Sequence, residues 1–302
     1  MKQILITGGL GHIGSHLIER LDPTYNITIV DNLHSQRYCT LFGMERKIDF
    51  DDSSFGDLSV EYLSNFDAII HLGAITNAAA SFKNREDLEY TNIVETKRLI
   101  NNAEKSDAPL FIFPSSTSVY GKAKDVMYED DDNVNPQSPY ARSKVSIENH
   151  LKKTTKLNYA ILRFGTIFGT SIGMRFHTAI NKFCYQAAFD KKLTVWKENF
   201  HQYRPYLGLE DATQAIEIIL KNESPQRQVY NVLTDNFKLS DIIGFIQEVK
   251  DVNIDFVDTP LLNQFSYYVN YDKMKDLGYD PMATLKTCIR DSIGLFDRSL
   301  EK

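Results

Sequence analysis

Tyr140 and Lys144, four residues apart, are side chains of the types that take a proton from a hydroxyl group. Positions four apart share one face of a helix, so the phenol and the ammonium can converge on a single substrate and cofactor. A free tyrosine titrates near ~10, and bringing it to about 7 takes roughly 4 kcal/mol of preferential stabilisation of the phenolate. The Lys144 ammonium has the right sign to supply part of it, with Tyr140 accepting a proton from a substrate hydroxyl. By themselves, a helical Tyr and Lys at this spacing describe a solvent-facing pair. The sequence upstream shifts the balance.

Residues Thr7 to Gly14 read TGGLGHIG, directly after an apolar run and at the opening of a helical pattern. Glycine at Gly8, Gly11 and Gly14 permits a tight turn and close backbone approach to a pyrophosphate. The helix N-terminus, entered at His12 and Ile13, offers unpaired N–H groups and the positive end of a dipole. The bland alternative is a glycine-rich turn without a ligand. Asp31, followed by Asn32, ends the second apolar run at the ~20-residue offset where a carboxylate meets the adenosine ribose. A 2′-phosphate there is repelled unless Arg37 compensates, so the pattern predicts NAD rather than NADP. Asp57 with Leu58, and the run His71, Leu72, Gly73, Ala74, fall at the C-terminal ends of further strands, the edge at which doubly wound sheets bind ligands. His71 itself reads as a packed or hydrogen-bonded residue rather than a catalyst.

The elements that must position these residues alternate. Apolar runs at Ile4 to Ile6, Ile27 to Val30, Ala68 to Leu72, Leu110 to Pro114 and Tyr159 to Phe164 predict strands; helices are expected at Ile13 to Leu21, Asn92 to Ala103 and Tyr140 to Lys153. Continuous apolar strands separated by helices specify a parallel sheet covered on both faces. The fold class is α/β, a Rossmann-type doubly wound parallel sheet with a smaller, discontinuous C-terminal lobe. The expected division gives residues 1–165 and about 201–225 to the dinucleotide-binding part, and residues 166–200 with 226–302 to a nucleotide-sugar-binding lobe.

Bulk properties exclude several classes. The chain has 302 residues, 42% hydrophobic and 25% charged, the balance of a globular protein and not of a disordered or membrane-spanning one. Its formal net charge is -6 with Lys and Arg scattered, which leaves no electrostatic footprint for nucleic acid or anionic lipid. Cys39, Cys184 and Cys288 lack paired spacing, so neither a metal site nor a disulfide framework is expected, and a reducing cytoplasm fits. No signal peptide or bilayer-spanning run is recognisable. The acidic run Glu129 to Asp132 reads as a solvated loop.

Tyr140-Ala-Arg-Ser-Lys144 preceded by Ser138-Pro139, and Ser115-Ser116-Thr117-Ser118-Val119-Tyr120-Gly121 upstream, together with TGGLGHIG and Asp31, resemble the extended short-chain dehydrogenase/reductase family. Within it the chain is similar to nucleotide-sugar epimerases and dehydratases of the UDP-glucose 4-epimerase type, as is the later run YRPYLGLEDA, Tyr203 to Ala212. The resemblance implies NAD as cofactor, a nucleotide-sugar as substrate, and a homodimer paired through helices near Asn92 to Ala103 and Tyr140 to Lys153. It assigns Ser116 as the hydroxyl that hydrogen-bonds the reacting oxygen beside Tyr140 and Lys144, and it carries substrate contacts to Thr117, to Asn181 with its neighbours Lys182 and Phe183, and to Arg204 on the diphosphate. The chain departs from the family at Thr166, where Asn is common, and has no late Arg around Pro260 to Phe265. Arg175 or His177 is the candidate replacement cation. Trp196 reads as a core residue rather than a stacking platform.

Dehydratases similar to this chain place Asp and Glu directly after the catalytic hydroxyl. Thr117 and Ser118 stand there instead and cannot act as acids of suitable strength, so 4-epimerisation through a 4-keto sugar is expected over elimination of water. A 4-dehydrogenase or reductase that releases the keto sugar begins with the same step and stays open. From another class, a noncatalytic NAD-sensing regulator is the alternative; such proteins often lose the Tyr or Lys that this chain keeps.

Overall fold

Apolar side chains leave the central strands on both sides, and the architecture follows from that. The computed structural model describes residues 1–77, 82, 84–106, 110–121, 126–130, 134–222, 227–258 and 266–300. Its strands in chain order are β1 (Gln3–Thr7), β2 (Asn26–Val30), β3 (Asp49–Asp51), β4 (Ala68–His71), β5 (Phe111–Ser116), β6 (Val126–Met127), β7 (Tyr159–Phe164), β8 (Thr166–Phe168), β9 (Leu193–Trp196), β10 (Tyr203–Gly208), β11 (Gln228–Val232), β12 (Asp235–Lys238), β13 (Ile254–Val257) and β14 (Tyr268–Val269). Ile4 and Ile6 of β1 join one apolar cluster and Leu5 the other; Ile112 of β5 joins the first, Phe111 and Phe113 the second. This period of two obliges the sheet to carry cover on each face.

The main sheet is parallel, in the order β11-β7-β5-β4-β1-β2-β3, which is the doubly wound arrangement predicted from the sequence. Helices His12–Arg20 and Leu209–Lys221 cover the first face through Leu17, Ile18, Ala215 and Ile219. Thr96–Lys105 and Pro139–Lys153 cover the second through Leu99, Ile100, Ile147 and Leu151. A third core joins Phe168, Phe183 and Val195 to Ile242 and Ile289 of helices Leu239–Val249 and Leu285–Leu300. A three-stranded sheet, β12-β10-β8, lies between this core and the cleft.

Two expectations are corrected. Gln228–Val232 was assigned to the second lobe, but it is the edge strand of the main sheet, in register with β7, and Met274 and Tyr279 pack into the first core. Its Val and Tyr suit a strand, but which sheet the run joins is set by pairing with β7 rather than by its own residues. Glu129 is not in a solvated loop: it is 7% exposed and accepts the Asn231 N–H at 2.8 Å, while Asp131 and Asp132 lie outside the described residues. Burial pushes the Glu129 carboxyl above its usual range. Among the described residues no helix is long and apolar enough to cross a membrane.

Candidate active site

The helix Pro139–Lys153 starts where Ser138 caps it, its Oγ accepting the Ala141 N–H at 3.1 Å with proline at the first turn. That start puts Tyr140 in the first turn and Lys144 one turn on, both facing the C-terminal end of β5. The Tyr140 phenol is hydrogen-bonded to Ser116, whose Oγ accepts the Ser118 N–H at 3.2 Å. Lys144 Nζ donates to the Pro114 carbonyl at 2.7 Å and lies 5.8 Å from the Tyr140 ring centroid. Burial at the bottom of the cleft pushes Tyr140 up to about 12, against the opposing Ser116 bond and the Arg175 charge, although the side chain stays half-buried. Burial lowers Lys144 to about 8, opposed by Glu148.

These groups stand in a cleft of about 1310 Å³ lined by the glycine turn, the loops after β2 and β4, the end of β5, and residues of the second lobe. Gly8 adopts φ +67, and a Cβ there would meet Gly73 Cα and N at 2.5 Å, so the turn and the loop after β4 touch backbone to backbone. At Gly14 a Cβ would meet the Gly9 carbonyl oxygen at 2.3 Å, which only glycine tolerates as the helix crosses the strand end. The site thus has the open cradle, helix N-terminus and adjacent carboxylate that a dinucleotide pyrophosphate and ribose require. Asp31 accepts the Leu10 N–H at 3.2 Å and the Leu33 N–H at 3.0 Å, which fixes its carboxylate beside the turn. Arg37, the cation considered for a 2′-phosphate, is turned to the carbonyls of Gly173 and, at 3.0 Å, Met174.

Gly8, Gly11, His12, Ile13, Gly14, Asp31, Asn32, Leu72, Gly73 and Ala74 all line the cleft with Ser116, Tyr140, Lys144, Thr166, Arg175 and Arg204. His71 is held on both ring nitrogens, by Thr7 at 2.6 Å and Thr96 at 3.0 Å, and burial lowers it to about 3, so it stays neutral and acts as the packed residue expected. Arg175 donates to Thr76 and stands beside Tyr140 at the reaction end. Arg204 sits over the Tyr267 ring at 5.1 Å.

Other candidates fall elsewhere. Thr117 is 2% exposed and its hydroxyl donates to the Phe164 carbonyl at 3.3 Å, so it turns away from the cleft. Asn181 is fully buried: its Oδ1 accepts the Gly169 N–H at 3.2 Å, and its Nδ2 donates to the Arg175 carbonyl at 3.1 Å and to His12 Nε2 at 3.3 Å. It braces the loop that roofs the glycine turn, where Ser171 donates to the His12 carbonyl at 2.9 Å. Asp57 is exposed, and Leu58 packs into the second core; neither is on the cleft wall, which Phe55 occupies. Trp196 is corrected in the other direction: with Thr194 it faces the cleft, while Leu193 and Val195 face the core.

Asn92, expected only as the start of a helix, is also a residue of the site. The chain winds as a π-helix over Tyr90–Glu95, and Asn92 accepts the Ile75 N–H at 2.8 Å while its Nδ2 donates to the Ile75 carbonyl at 2.9 Å and to Ser143 Oγ at 3.3 Å. One amide thereby ties the loop after β4 to the Tyr140 helix. The helical pattern was legible, but the wider turn that aims this side chain inward was not.

Comparison with known proteins agrees with this geometry. A family model described as the NAD dependent epimerase/dehydratase family matches residues 4–232. The chain is 27% identical to a dTDP-D-glucose 4,6-dehydratase of Bos taurus over 97% of its length and 88% of that protein. It is 26% identical to a putative UDP-glucose 4-epimerase of Methanocaldococcus jannaschii over 95% and 96%. Its fold matches UDP-N-acetylglucosamine 4-epimerase from Methanobrevibacter ruminantium with a TM-score of 0.88 at 22% identity, covering 99% of both chains. With the glycine turn, Asp31 and the Ser116, Tyr140, Lys144 cluster on one cleft, the chain belongs to the NAD dependent epimerase/dehydratase family.

Proposed function

We propose that this protein is a nucleotide-sugar 4-epimerase, acting as a homodimer in the cytoplasm. The observation that carries the reading is the placement of Ser116, Tyr140 and Lys144 in a cleft whose described lining residues include carboxylates only at Asp31 and Asp87. Asp31 is committed to the glycine turn, and Asp87 is exposed on the helix Arg85–Glu89. With Thr117 turned to a carbonyl and Ser118 a hydroxyl, the positions after Ser116 offer no acid to expel water from C6, although curated relatives include dehydratases.

Tyr140 takes the C4 hydroxyl proton, Ser116 holds the reacting oxygen, and Lys144 stabilises the phenolate. NAD, which the glycine turn and Asp31 would hold, would supply the acceptor and donor for the C4 hydride. Tyr140 then gives the proton back to the same C4 oxygen after the keto sugar has turned over. Arg204 holds the diphosphate, and Trp196, Phe183 and Tyr267 line the nucleotide end.

The test is incubation of the NAD-loaded protein with UDP-, GDP-, CDP- and dTDP-hexoses, with products read by NMR and NADH by absorbance. The expected result is one sugar inverted at C4 without net NADH. Accumulating NADH with a 4-keto sugar makes the protein a dehydrogenase, a 6-deoxy product makes it a dehydratase, and no turnover on any sugar favours the NAD-sensing reading.

A further inference from the structure

Three consecutive residues of β5 are stitched to three successive turns of the helix Pro139–Lys153. Ser116 meets Tyr140, the Pro114 carbonyl accepts from Lys144 Nζ at 2.7 Å, and Ser115 Oγ donates to Glu148 Oε1 at 2.5 Å. The first two contacts belong to the site described above; the third does not. Glu148 and Arg163 are each 2% exposed. Arg163, opposite Ser115 in the β5–β7 register, binds the carboxylate through Nη2 at 2.7 Å and through Nε at 3.2 and 3.3 Å. Its Nη1 donates to the Tyr120 hydroxyl at 2.9 Å and to the Glu129 carbonyl at 3.3 Å.

A buried ion pair is a poor stabiliser. Desolvating two charges costs several kcal/mol, and well-packed apolar replacements are often neutral or favourable. The placement of this pair gives it another use, since Glu148 is one turn beyond Lys144 on the same helix face and fixes the residue adjoining Ser116.

We propose that Glu148, braced by Arg163, is a positioning residue for proton transfer: its buried charge keeps Lys144 cationic beneath Tyr140. The proposal rests on the reading of Tyr140 as proton acceptor. Burial and the Phe113 ring, 4.5 Å from Nζ, surround Lys144 with low dielectric, and Glu148 supplies the opposing negative charge. The other charged or titratable groups facing this cluster are Arg163 and Tyr120 behind Glu148, His71 near Lys144, held neutral on β4, and Arg175 beside Tyr140. Loss of the Glu148 charge makes Lys144 easier to deprotonate, and a neutral lysine stabilises the phenolate less. The Tyr140 titration therefore moves to higher pH.

The experiment uses NAD-loaded protein without sugar and follows phenolate absorbance against pH, with each variant referenced to its own Tyr140→Phe counterpart. Glu148→Gln keeps an acceptor for Ser115 and removes the charge; its midpoint is expected to rise by about one pH unit, a tenfold loss of phenolate at neutral pH. Glu148→Asp keeps the charge and disturbs the packing; its midpoint is expected to match the parent even if its melting temperature falls. A Glu148→Gln midpoint equal to the parent, or a Glu148→Asp midpoint shifted as far as that of Glu148→Gln, overturns the proposal. If Glu148→Gln does not fold, Glu148→Asp decides: a parental midpoint supports the charge role and a raised one refutes it. Because no sugar is present, failure of the hexose panel and failure of this titration are separate results.

Discussion

Tyr140→Phe is expected to lower turnover by about a thousandfold while leaving bound NAD and the melting temperature close to those of the parent. A positioned acid–base group contributes on the order of 10²–10⁴ in rate, and this phenol is the group that accepts the hydroxyl proton in the proposed reaction. The structure makes the demand on its surroundings large. Burial holds the phenol near about 12, so poising it at neutral pH requires roughly 7 kcal/mol of preferential phenolate stabilisation. With the Ser116 hydrogen bond already in place, the Lys144 charge 5.8 Å from the ring centroid and a positive nicotinamide ring have to supply it together. Phenylalanine keeps the ring and removes only the oxygen, so packing should survive. Steady-state kinetics on the sugar that the panel identifies, with NAD content measured on the same sample, is the check. Turnover within tenfold of the parent would mean that another group takes the proton.

Gly8→Ala is expected to yield protein without bound NAD and with a melting temperature roughly 5–10 °C lower. Alanine at φ +67 carries left-handed strain of roughly 1–3 kcal/mol, and its Cβ would lie 2.5 Å from the Gly73 backbone and 2.8 Å from the Leu72 carbonyl carbon. Those atoms end a central strand and cannot withdraw as a flexible side chain would. Separation must open the cradle that the pyrophosphate occupies. NAD content by absorbance after purification and a thermal melt measure both effects. A Gly8→Ala protein that keeps stoichiometric NAD would show that the turn does not hold the cofactor.

The residues legible in the sequence were those whose roles are local. Ser138 and Pro139 start a helix wherever they precede a helical run, so the shared face of Tyr140 and Lys144 follows from spacing alone. The glycine turn is likewise set by neighbouring residues, and Asp31 by the strand before it. What could not be read depends on distant partners. Thr117 and Ser118 look alike as hydroxyl residues, yet a carbonyl on β7 turns the first away and the second lines the cleft. Asn181 is spent on bracing a loop against His12, a contact across 169 residues of chain. Trp196 follows the strand alternation of LTVW, but which face of that strand meets ligand is decided by the core under Leu193 and Val195. The edge strand Gln228–Val232 was missed because its place is fixed by pairing with β7, not by its own pattern.

In the proposed reaction the C4 hydride would be stored on an NAD held within the cleft and returned to the other face of the same sugar. This reaction is tested most directly by giving NAD-loaded protein the hexose that the panel identifies, deuterated at C4, and following both label and configuration by NMR. The expected product is inverted at C4 and retains its deuterium, with no NADH released. Deuterium appearing in free NADH beside a 4-keto sugar, or a product that has lost its C6 oxygen, would contradict it.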